Sequence, residues 1–166
     1  DENWNVLKEG EVGEVVIKSP ANMVGYWKNP EATAEVFNDD GWFKSGDLGF
    51  FDGPFLHIVD RLKDLVIRGG ENISCIEVEA AIYEHSDVLE ACIIGVPDER
   101  LGEQVASAIY LKPGVELTQE NIQDFLHGKI AKFKIPFEIR FYKEPLPKIA
   151  SGKFDKPKLR KIFADN

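Results

Sequence analysis

The spacing of apolar and polar residues predicts mostly β-structure in the first sixty residues. A strand is predicted over residues 11–18, and a hairpin is predicted over residues 50–59 around the turn at Asp52-Gly53. Between them a short helix is predicted, with Asn29 as its cap and Pro30 as its first residue. Because this region has too little helix to cover both faces of a sheet, we expect residues 1–60 to be the incomplete, β-rich edge of a larger domain.

After Asp60 the pattern changes to alternating strands and amphipathic helices. Strands are predicted over 65–67, 88–96, 104–111 and 137–142. Three helices are predicted, each after a capping residue: Ser74, in a capping box with Glu77, then Thr118 and Asp155. Their predicted inward faces are, in the same order, Val78, Ala81 and Ile82; Ile122, Phe125 and Leu126; and Leu159, Ile162 and Phe163. Residues 61–166 are therefore predicted to form a small α+β domain, with the boundary at about 60–63.

Composition narrows the class of protein. The 166 residues are 43% hydrophobic, which is enough for a packed core, and the net charge of -9 argues against a nucleic-acid partner. Two cysteines without metal-ligand spacing predict neither a zinc site nor a disulfide, and Cys92 has the surroundings of a small core residue. There is no apolar run long enough for a membrane span and no signal-peptide pattern at residues 1–4, so we expect a cytoplasmic protein.

Five short segments stand out because they are rich in glycine, charged or aromatic residues. They are Gly25 to Thr33, Gly41 to Asp47, Asp60 to Asp64, Arg68 to Ile73, and Pro147 to Lys153. In this order they resemble the closing motifs of adenylate-forming enzymes, the superfamily of acyl-CoA synthetases, luciferases and adenylation domains. The resemblance covers nearly the whole chain, although Ser45 replaces the usual threonine and Lys156 stands where arginine is common. It implies the C-terminal part of an enzyme that activates a carboxylate with ATP.

The resemblance implies that Asp47 and Arg61 bind the ribose hydroxyls of ATP and AMP. An ionised carboxylate accepts hydrogen bonds from two adjacent hydroxyls, and a guanidinium keeps its charge at any physiological pH. For Asp47 the alternative is a turn in which the side chain bonds its own backbone. For Arg61 it is a surface ion pair with Asp60 or Asp64.

Lys63 stands at the position that resembles the hinge of these enzymes, which agrees with the boundary predicted independently from the pattern. An ordinary linker lysine would be compatible with that role. The segment Arg68 to Ile73 is predicted to be a glycine-rich loop, because two glycines permit positive φ and close backbone approach. The resemblance implies that Gly69, Gly70 and Glu71 contact CoA and that Asn72 lies near the acyl-adenylate, whereas a simple turn is the alternative.

The resemblance implies that Lys153 is the catalytic residue. Its ammonium could bridge the attacking carboxylate oxygen and the α-phosphate and so stabilise the charge that moves in the transition state. Ser151-Gly152 before it predicts a mobile loop. A solvated lysine among Lys148, Lys156 and Lys158 is the alternative.

Together these motifs predict the C-terminal fragment of an acyl-CoA synthetase, inactive without its N-terminal core domain. The expected cofactors are ATP and CoA, with Mg²⁺ bound mainly outside the fragment, and the expected substrate is a small carboxylic acid such as a fatty or aromatic acid. No metal site is predicted in the chain itself. An exposed domain face could support a homo-oligomer. Two alternatives stay open, namely an adenylation domain that loads a carrier protein and a non-catalytic module that shares the fold.

Overall fold

The computed structural model describes residues 1–165, and its chain divides into two compact units, Asp1–Lys63 and Asp64–Asn166. We call them the first and the second unit. Both contain strands and helices, so the prediction of an α+β fold is confirmed. Among residues 1–165, none of the helices is long and apolar enough to cross a membrane.

The first unit is a three-stranded antiparallel sheet in the order β1-β2-β3, with one short helix. Its elements are β1 Gly13–Ile17, α1 Pro30–Val36, β2 Phe43–Asp52 and β3 Phe55–Arg61. The predicted hairpin at Asp52-Gly53 and the Asn29 cap are both confirmed, and the Asn29 side chain accepts a hydrogen bond from the Ala32 backbone. β2 begins at Phe43, earlier than predicted, because its first half pairs with β1.

The second unit is a five-stranded sheet with three helices. The strands β5, β4, β7 and β6, whose ranges follow, are neighbours in that order, and β8 pairs with β7 in the parallel direction. Its elements are β4 Val66–Arg68, β5 Glu71–Ile73, α2 Cys75–Tyr83, β6 Val88–Asp98, β7 Gly102–Leu111, α3 Gln119–Leu126, β8 Glu138–Tyr142 and α4 Lys156–Ala164.

The alternation of β7 places a hydrophobic cluster on each face of this sheet. Val105 and Ile109 belong to the cluster that includes residues of α2 and α3, whereas Ala106 and Ala108 belong to the cluster that includes Leu159 and Phe163 of α4. Successive side chains of a strand point to opposite faces, so a central strand with helices on both sides must be apolar throughout. Small residues on the α4 face let that helix pack closely.

The predicted helix caps are present. Ser74 Oγ accepts a hydrogen bond from the Glu77 backbone, as predicted, and the Glu77 carboxylate is bonded to Lys134 Nζ at 2.7 Å. At α3 the structure forms a full capping box between Thr118 and Asn121, which the sequence analysis did not predict because asparagine is less usual there.

Ile162 was predicted to belong to the buried face of α4, and this is wrong. Leu159 and Phe163 are buried, but Ile162 is 36% exposed. Residues four apart lie on one line along a helix, so Leu159 and Phe163 alone form the narrow contact face and Ile162 points to its side. The segment Arg68 to Ile73 was predicted to be a loop, and only its two glycines form one, because Glu71 begins strand β5.

Candidate active site

Asp47 and Arg61, predicted from separate motifs, lie opposite each other on neighbouring strands of the first unit. They are directly paired in the register of β2 and β3, and Arg61 Nε lies 3.3 Å from Asp47 Oδ1. The side chain of Arg61 is 46% exposed and that of Asp47 is 34% exposed. Such an exposed ion pair contributes little to stability. It does, however, leave carboxylate lone pairs and guanidinium N–H groups available to a ligand in solvent.

The backbone before Asp47 is shaped by a serine hydroxyl and a glycine. Ser45 Oγ donates to the Val15 carbonyl at 2.7 Å and accepts from the Asp47 N–H at 3.1 Å. Gly46 has φ of +76°, a conformation that glycine adopts without strain, and its N–H donates to Glu14 Oε1 at 3.1 Å. Position 45 therefore needs a hydroxyl group for these two hydrogen bonds, and serine supplies it as threonine would. Asp47 lies in the irregular strand β2 and not in a free turn.

The partner of Arg61 differs from the alternatives considered from the sequence. An ion pair with Asp60 or Asp64 was the alternative to a ribose contact, and the structure pairs Arg61 with Asp47 instead. The side chain of Asp60 is turned inward, is nearly fully buried, and accepts a hydrogen bond from the Arg61 backbone at 2.7 Å. Lys63 is exposed within the short 3-10 turn Leu62–Asp64.

The Gly-Gly segment forms the turn of a tight β-hairpin in the second unit. Arg68 and Glu71 are paired across β4 and β5, and between them Gly69 and Gly70 have φ of +60° and +89°. Positive φ at both central positions is the geometry of a type I′ turn, which suits the twist of a hairpin. The N–H of Gly69 donates to the Leu101 carbonyl at 2.8 Å. Gly69, Gly70, Glu71 and Asn72 are all exposed, so the four predicted contact residues share one accessible hairpin.

Lys153 lies on a hydrogen-bonded turn, which we call the Lys153 turn, over residues 148–154. Lys148 and Phe154 are bridged, the Ile149 N–H donates to the Lys153 carbonyl, and the Gly152 N–H donates to the Ile149 carbonyl, the last two at 2.9 Å. Ser151-Gly152 thus belongs to a hydrogen-bonded turn, and the predicted mobility of this loop stays a prediction. Within residues 1–165 no ion pair includes Lys153, and its side chain is exposed.

Glu90 of β6 holds the chain at the start of the Lys153 turn. One carboxylate oxygen of Glu90 accepts from Lys148 Nζ at 2.6 Å, and the other accepts from the Leu146 N–H at 2.7 Å. Lys148 Nζ also lies 5.5 Å from the ring centroid of Phe154. Lys148 is therefore engaged in the fold, and it differs from the solvated lysine considered as an alternative for this region.

Lys156 is a charged residue whose environment the sequence analysis did not predict. Its Nζ lies 3.9 Å from both Asp64 Oδ1 and Glu79 Oε1. Burial by itself would lower the pKa of this ammonium. The sulfur of Cys75 and the carboxylates of Glu79 and Asp64 act in the opposite direction, and the net pKa is raised above the usual lysine value. In the sequence, position 156 was marked only by a lysine where arginine is common, which did not indicate its charged partners.

Neither cysteine has the environment of a reactive thiol. Both are buried, and Cys75 Sγ donates to the Asp64 carbonyl at 2.8 Å. Burial, assisted by the carboxylate of Glu79, raises the pKa of Cys92 to about 12, so the thiol is neutral. The interpretation of Cys92 as a core residue is confirmed. In the described part of the chain, no group of three or more His, Cys, Asp or Glu residues could hold a metal ion.

The Gly25 to Thr33 motif is used to fold the chain. The Thr33 hydroxyl donates to the Asn29 carbonyl at 2.8 Å and accepts from the Tyr26 N–H at 2.9 Å. A Cβ at Gly25 would lie 2.9 Å from the Thr33 methyl group, so the glycine makes this close packing possible. The fold and the ordered motifs together are those expected of the C-terminal part of an adenylate-forming enzyme.

Comparison with known proteins identifies the family more narrowly. Residues 77–153 match the family described as AMP-binding enzyme C-terminal domain. The chain is 41% identical to the oxalate–CoA ligase of Arabidopsis thaliana, with 94% of the chain and 30% of the relative aligned. It is 42% identical to the long-chain-fatty-acid–CoA ligase of Bacillus subtilis, with 100% of the chain and 30% of the relative aligned.

A solved structure agrees with these relatives. The o-succinylbenzoate CoA synthetase of Bacillus subtilis, in complex with its acyl-adenylate intermediate, matches with a TM-score of 0.87 and 33% identity, over 96% of this chain and 32% of that one. The chain thus matches the C-terminal part of adenylate-forming enzymes, as its motifs predicted. It spans about 30% of the length of the curated relatives that it matches.

Proposed function

We propose that the protein containing this chain is an ATP-dependent acid–CoA ligase that forms AMP. In the first step a carboxylate oxygen attacks the α-phosphorus of ATP, the bond to pyrophosphate breaks, and an acyl-adenylate forms. In the second step the sulfur of CoA attacks the acyl carbon, AMP leaves, and the thiol proton is released to solvent. The observation that carries the proposal is the exposed Lys153, presented on a closed turn in a chain that aligns almost throughout with CoA ligases.

Lys153 is assigned to the first step. A lysine ammonium is a compact charge on a flexible stem, so it can follow negative charge as that charge moves from the carboxylate to the phosphate oxygens. The exposure of the side chain and the absence of an ion partner within residues 1–165 support this role, because no internal bond has to break before substrate is bound. Mg²⁺ would accompany ATP and would be held mainly by residues outside this chain.

Asp47 and Arg61 are assigned to the ribose of ATP and AMP. A vicinal diol presents two donors whose hydrogen bonds a single carboxylate can accept, and the nearby guanidinium orients that carboxylate. Their 3.3 Å ion pair and their partial exposure support a site that is formed before the nucleotide arrives. A prearranged pair loses little conformational freedom on binding.

The Gly69-Gly70 hairpin is assigned to the CoA step, with Lys63 as the hinge. We propose that the predicted mobile C-terminal domain, residues 61–166, moves from the hinge at Lys63 onward. Residues 1–60, together with Arg61 at the end of β3, belong to the edge of the large AMP-binding domain. Rotation about Lys63 would withdraw Lys153 and present Gly69, Gly70 and Glu71 to the pantetheine arm, with Asn72 near the acyl-adenylate. The exposed, side-chain-free turn supports this assignment because a narrow ligand can approach its backbone closely.

The acid substrate is a small carboxylic acid whose class the chain leaves open. Relatives named for oxalate and for long-chain fatty acids are 41% and 42% identical to this chain. Sequence identity over this part of the enzyme therefore does not distinguish between the acid substrates for which the relatives are named. We infer that the acid pocket lies in the N-terminal core domain, the expected partner of this chain. The isolated chain is accordingly expected to be inactive, and the apolar side chains exposed on its first unit are expected to favour self-association.

The test is acyl-CoA formation by the full-length protein. Pyrophosphate release and thioester formation are measured over a panel of aliphatic, aromatic and dicarboxylic acids, first with CoA and then with a holo carrier protein in its place. The proposal predicts pyrophosphate release with at least one acid and a thioester with CoA. Transfer to the carrier protein alone would favour an adenylation domain instead. The absence of pyrophosphate release with every acid would favour a non-catalytic module.

A further inference from the structure

A partly buried ion cluster lies at the base of the segment that carries Lys153. Lys156, Asp64 and Glu79 form it, and we call it the Lys156 cluster. The three side chains are only 18%, 22% and 19% exposed, and both N···O distances are 3.9 Å. At this separation the groups attract electrostatically without a direct hydrogen bond. A lysine that is so far from solvent is retained only where nearby negative charges offset the cost of burial.

The cluster joins three separate parts of the second unit. Lys156 is the first residue of α4 and follows Lys153 by three positions. Asp64 is the first residue of the second unit, directly after Lys63. Glu79 is on α2, and its Oε1 also accepts from the Ile93 N–H of β6 at 2.9 Å, which fixes the carboxylate to the sheet. The cluster thus ties the segment after Lys153 to the start of the unit and to its core.

The opposite side of the Lys153 turn is held in a different way. Lys148 is bonded to Glu90 at 2.6 Å, and the Asp155 N–H donates to the Pro147 carbonyl at 2.8 Å across the base of the turn. The side chain of Lys148 is 41% exposed, more than twice the exposure of Lys156. The turn is thus restrained on one side by a direct but more exposed ion pair and on the other side by the less exposed Lys156 cluster, which water screens less.

We propose that Lys156 is a positioning residue for Lys153, acting through Asp64 and Glu79 to hold the Lys153 turn in the orientation that adenylation requires. This inference rests on the proposed function. A transition-state contact is lost when the contributing group is displaced by about 1 Å, with a cost in rate of about 100-fold. An anchor three residues away is therefore expected to influence the step that uses Lys153 and to leave the other step unaffected.

The test uses the full-length enzyme and three single variants. Lys156→Met keeps the length of the side chain and removes its charge, whereas Lys156→Arg keeps the charge. Lys158→Met is the matched control, because Lys158 is an exposed lysine in the first turn of the same helix. The two half-reactions are measured separately, as pyrophosphate release from acid and ATP and as thioester formation from supplied acyl-adenylate and CoA.

The proposal predicts that Lys156→Met lowers kcat for adenylation by about 10-fold or more while KM for ATP changes by less than about twofold. Thioester formation should stay within about twofold of wild type, as should both activities of Lys158→Met. Lys156→Arg should restore most of the lost rate. A double variant, Lys153→Ala with Lys156→Met, should adenylate no more slowly than Lys153→Ala alone, because Lys156 acts only through Lys153.

Two results would overturn the inference. Equal loss in both half-reactions would mean that Lys156 stabilises the domain as a whole, and additive losses in the double variant would mean that it acts independently of Lys153. If Lys156→Met does not fold, Asp64→Asn removes one charge of the cluster with little change of shape and is expected to lower adenylation by about threefold in the same selective way. A Lys153→Ala single variant that adenylates normally would contradict the proposed function itself, which separates the two failures.

Discussion

Both units of this chain are built around a β-sheet, but they differ in how much apolar surface they bury. In the second unit, 22 hydrophobic residues are buried, beginning at Val66, and they form clusters on both faces of the sheet. Among residues 1–63, no hydrophobic residue is buried, and a groove of about 620 Å³ lies open beside Trp4, Leu7, Val15, Trp42 and Leu56. Burial of apolar surface is the main driving force for folding. We therefore expect a sheet without a covering layer to be part of a larger domain, and a sheet with helices on both faces to fold by itself.

Separating the units should give the largest effect. Residues 64–166 are expected to unfold cooperatively when expressed alone, because their clusters are made within the unit. Residues 1–63 are expected to lack a cooperative transition, because a three-stranded sheet with no buried apolar residue cannot offset the entropy of ordering the chain. Circular dichroism during heating distinguishes the two. A sharp unfolding transition of residues 1–63 would contradict the comparison.

Matched isoleucine substitutions should sharpen the contrast between the units. Ile109 in β7 is fully buried, whereas Ile58 in β3 is 53% exposed. We expect Ile109→Ala to lower the free energy of unfolding by about 3–4 kcal/mol, because it leaves a cavity in a packed core. The same change at Ile58 should alter it by less than about 0.5 kcal/mol in the isolated chain. Urea unfolding of the chain measures both, and similar losses at the two sites would show that the first unit has a core of its own.

A smaller and opposite effect is expected at Ser107. This residue is fully buried in β7, and its hydroxyl oxygen has no hydrogen-bond partner among the residues described. A buried polar group without a partner is costly, so Ser107→Ala should raise the free energy of unfolding by about 1 kcal/mol. The Ala106→Ser variant, which places a hydroxyl in the opposite cluster, serves as a control and should be destabilising. A destabilised Ser107→Ala protein would mean that the hydroxyl is used.

The sequence predicted the elements well where local signals and apolar periodicity agreed. The caps Asn29, Ser74, Thr118 and Asp155 each begin a helix, and the turn at Asp52-Gly53 joins two strands. The two errors of placement arose where tertiary packing decides. Ile162 fits a helical stripe, but only Leu159 and Phe163 face the sheet, and Glu71 looked like a loop residue because its strand is only three residues long.

The candidate site was predictable in its residues and less so in its connections. The resemblance gave Asp47 and Arg61 separately, and the strand register that pairs them is a property of the folded sheet. Lys153 was singled out by its motif, but its turn is tied to β6 through Glu90, which is far away in the sequence. The Lys156 cluster could not be predicted because Asp64, Glu79 and Lys156 come from three distant segments.

The central claim is that each unit contributes a different part of the chemistry, and one pair of variants tests it most directly. In the full-length enzyme, Asp47→Ala and Lys153→Ala are compared in adenylation and in thioester formation from supplied acyl-adenylate. We expect Asp47→Ala to raise KM for ATP by about 10-fold or more, since two hydrogen bonds to the ribose are lost. Lys153→Ala should lower kcat of adenylation by about 100-fold or more and leave thioester formation within about twofold. Equal losses of both half-reactions in Lys153→Ala, or an unchanged KM for ATP in Asp47→Ala, would contradict the account.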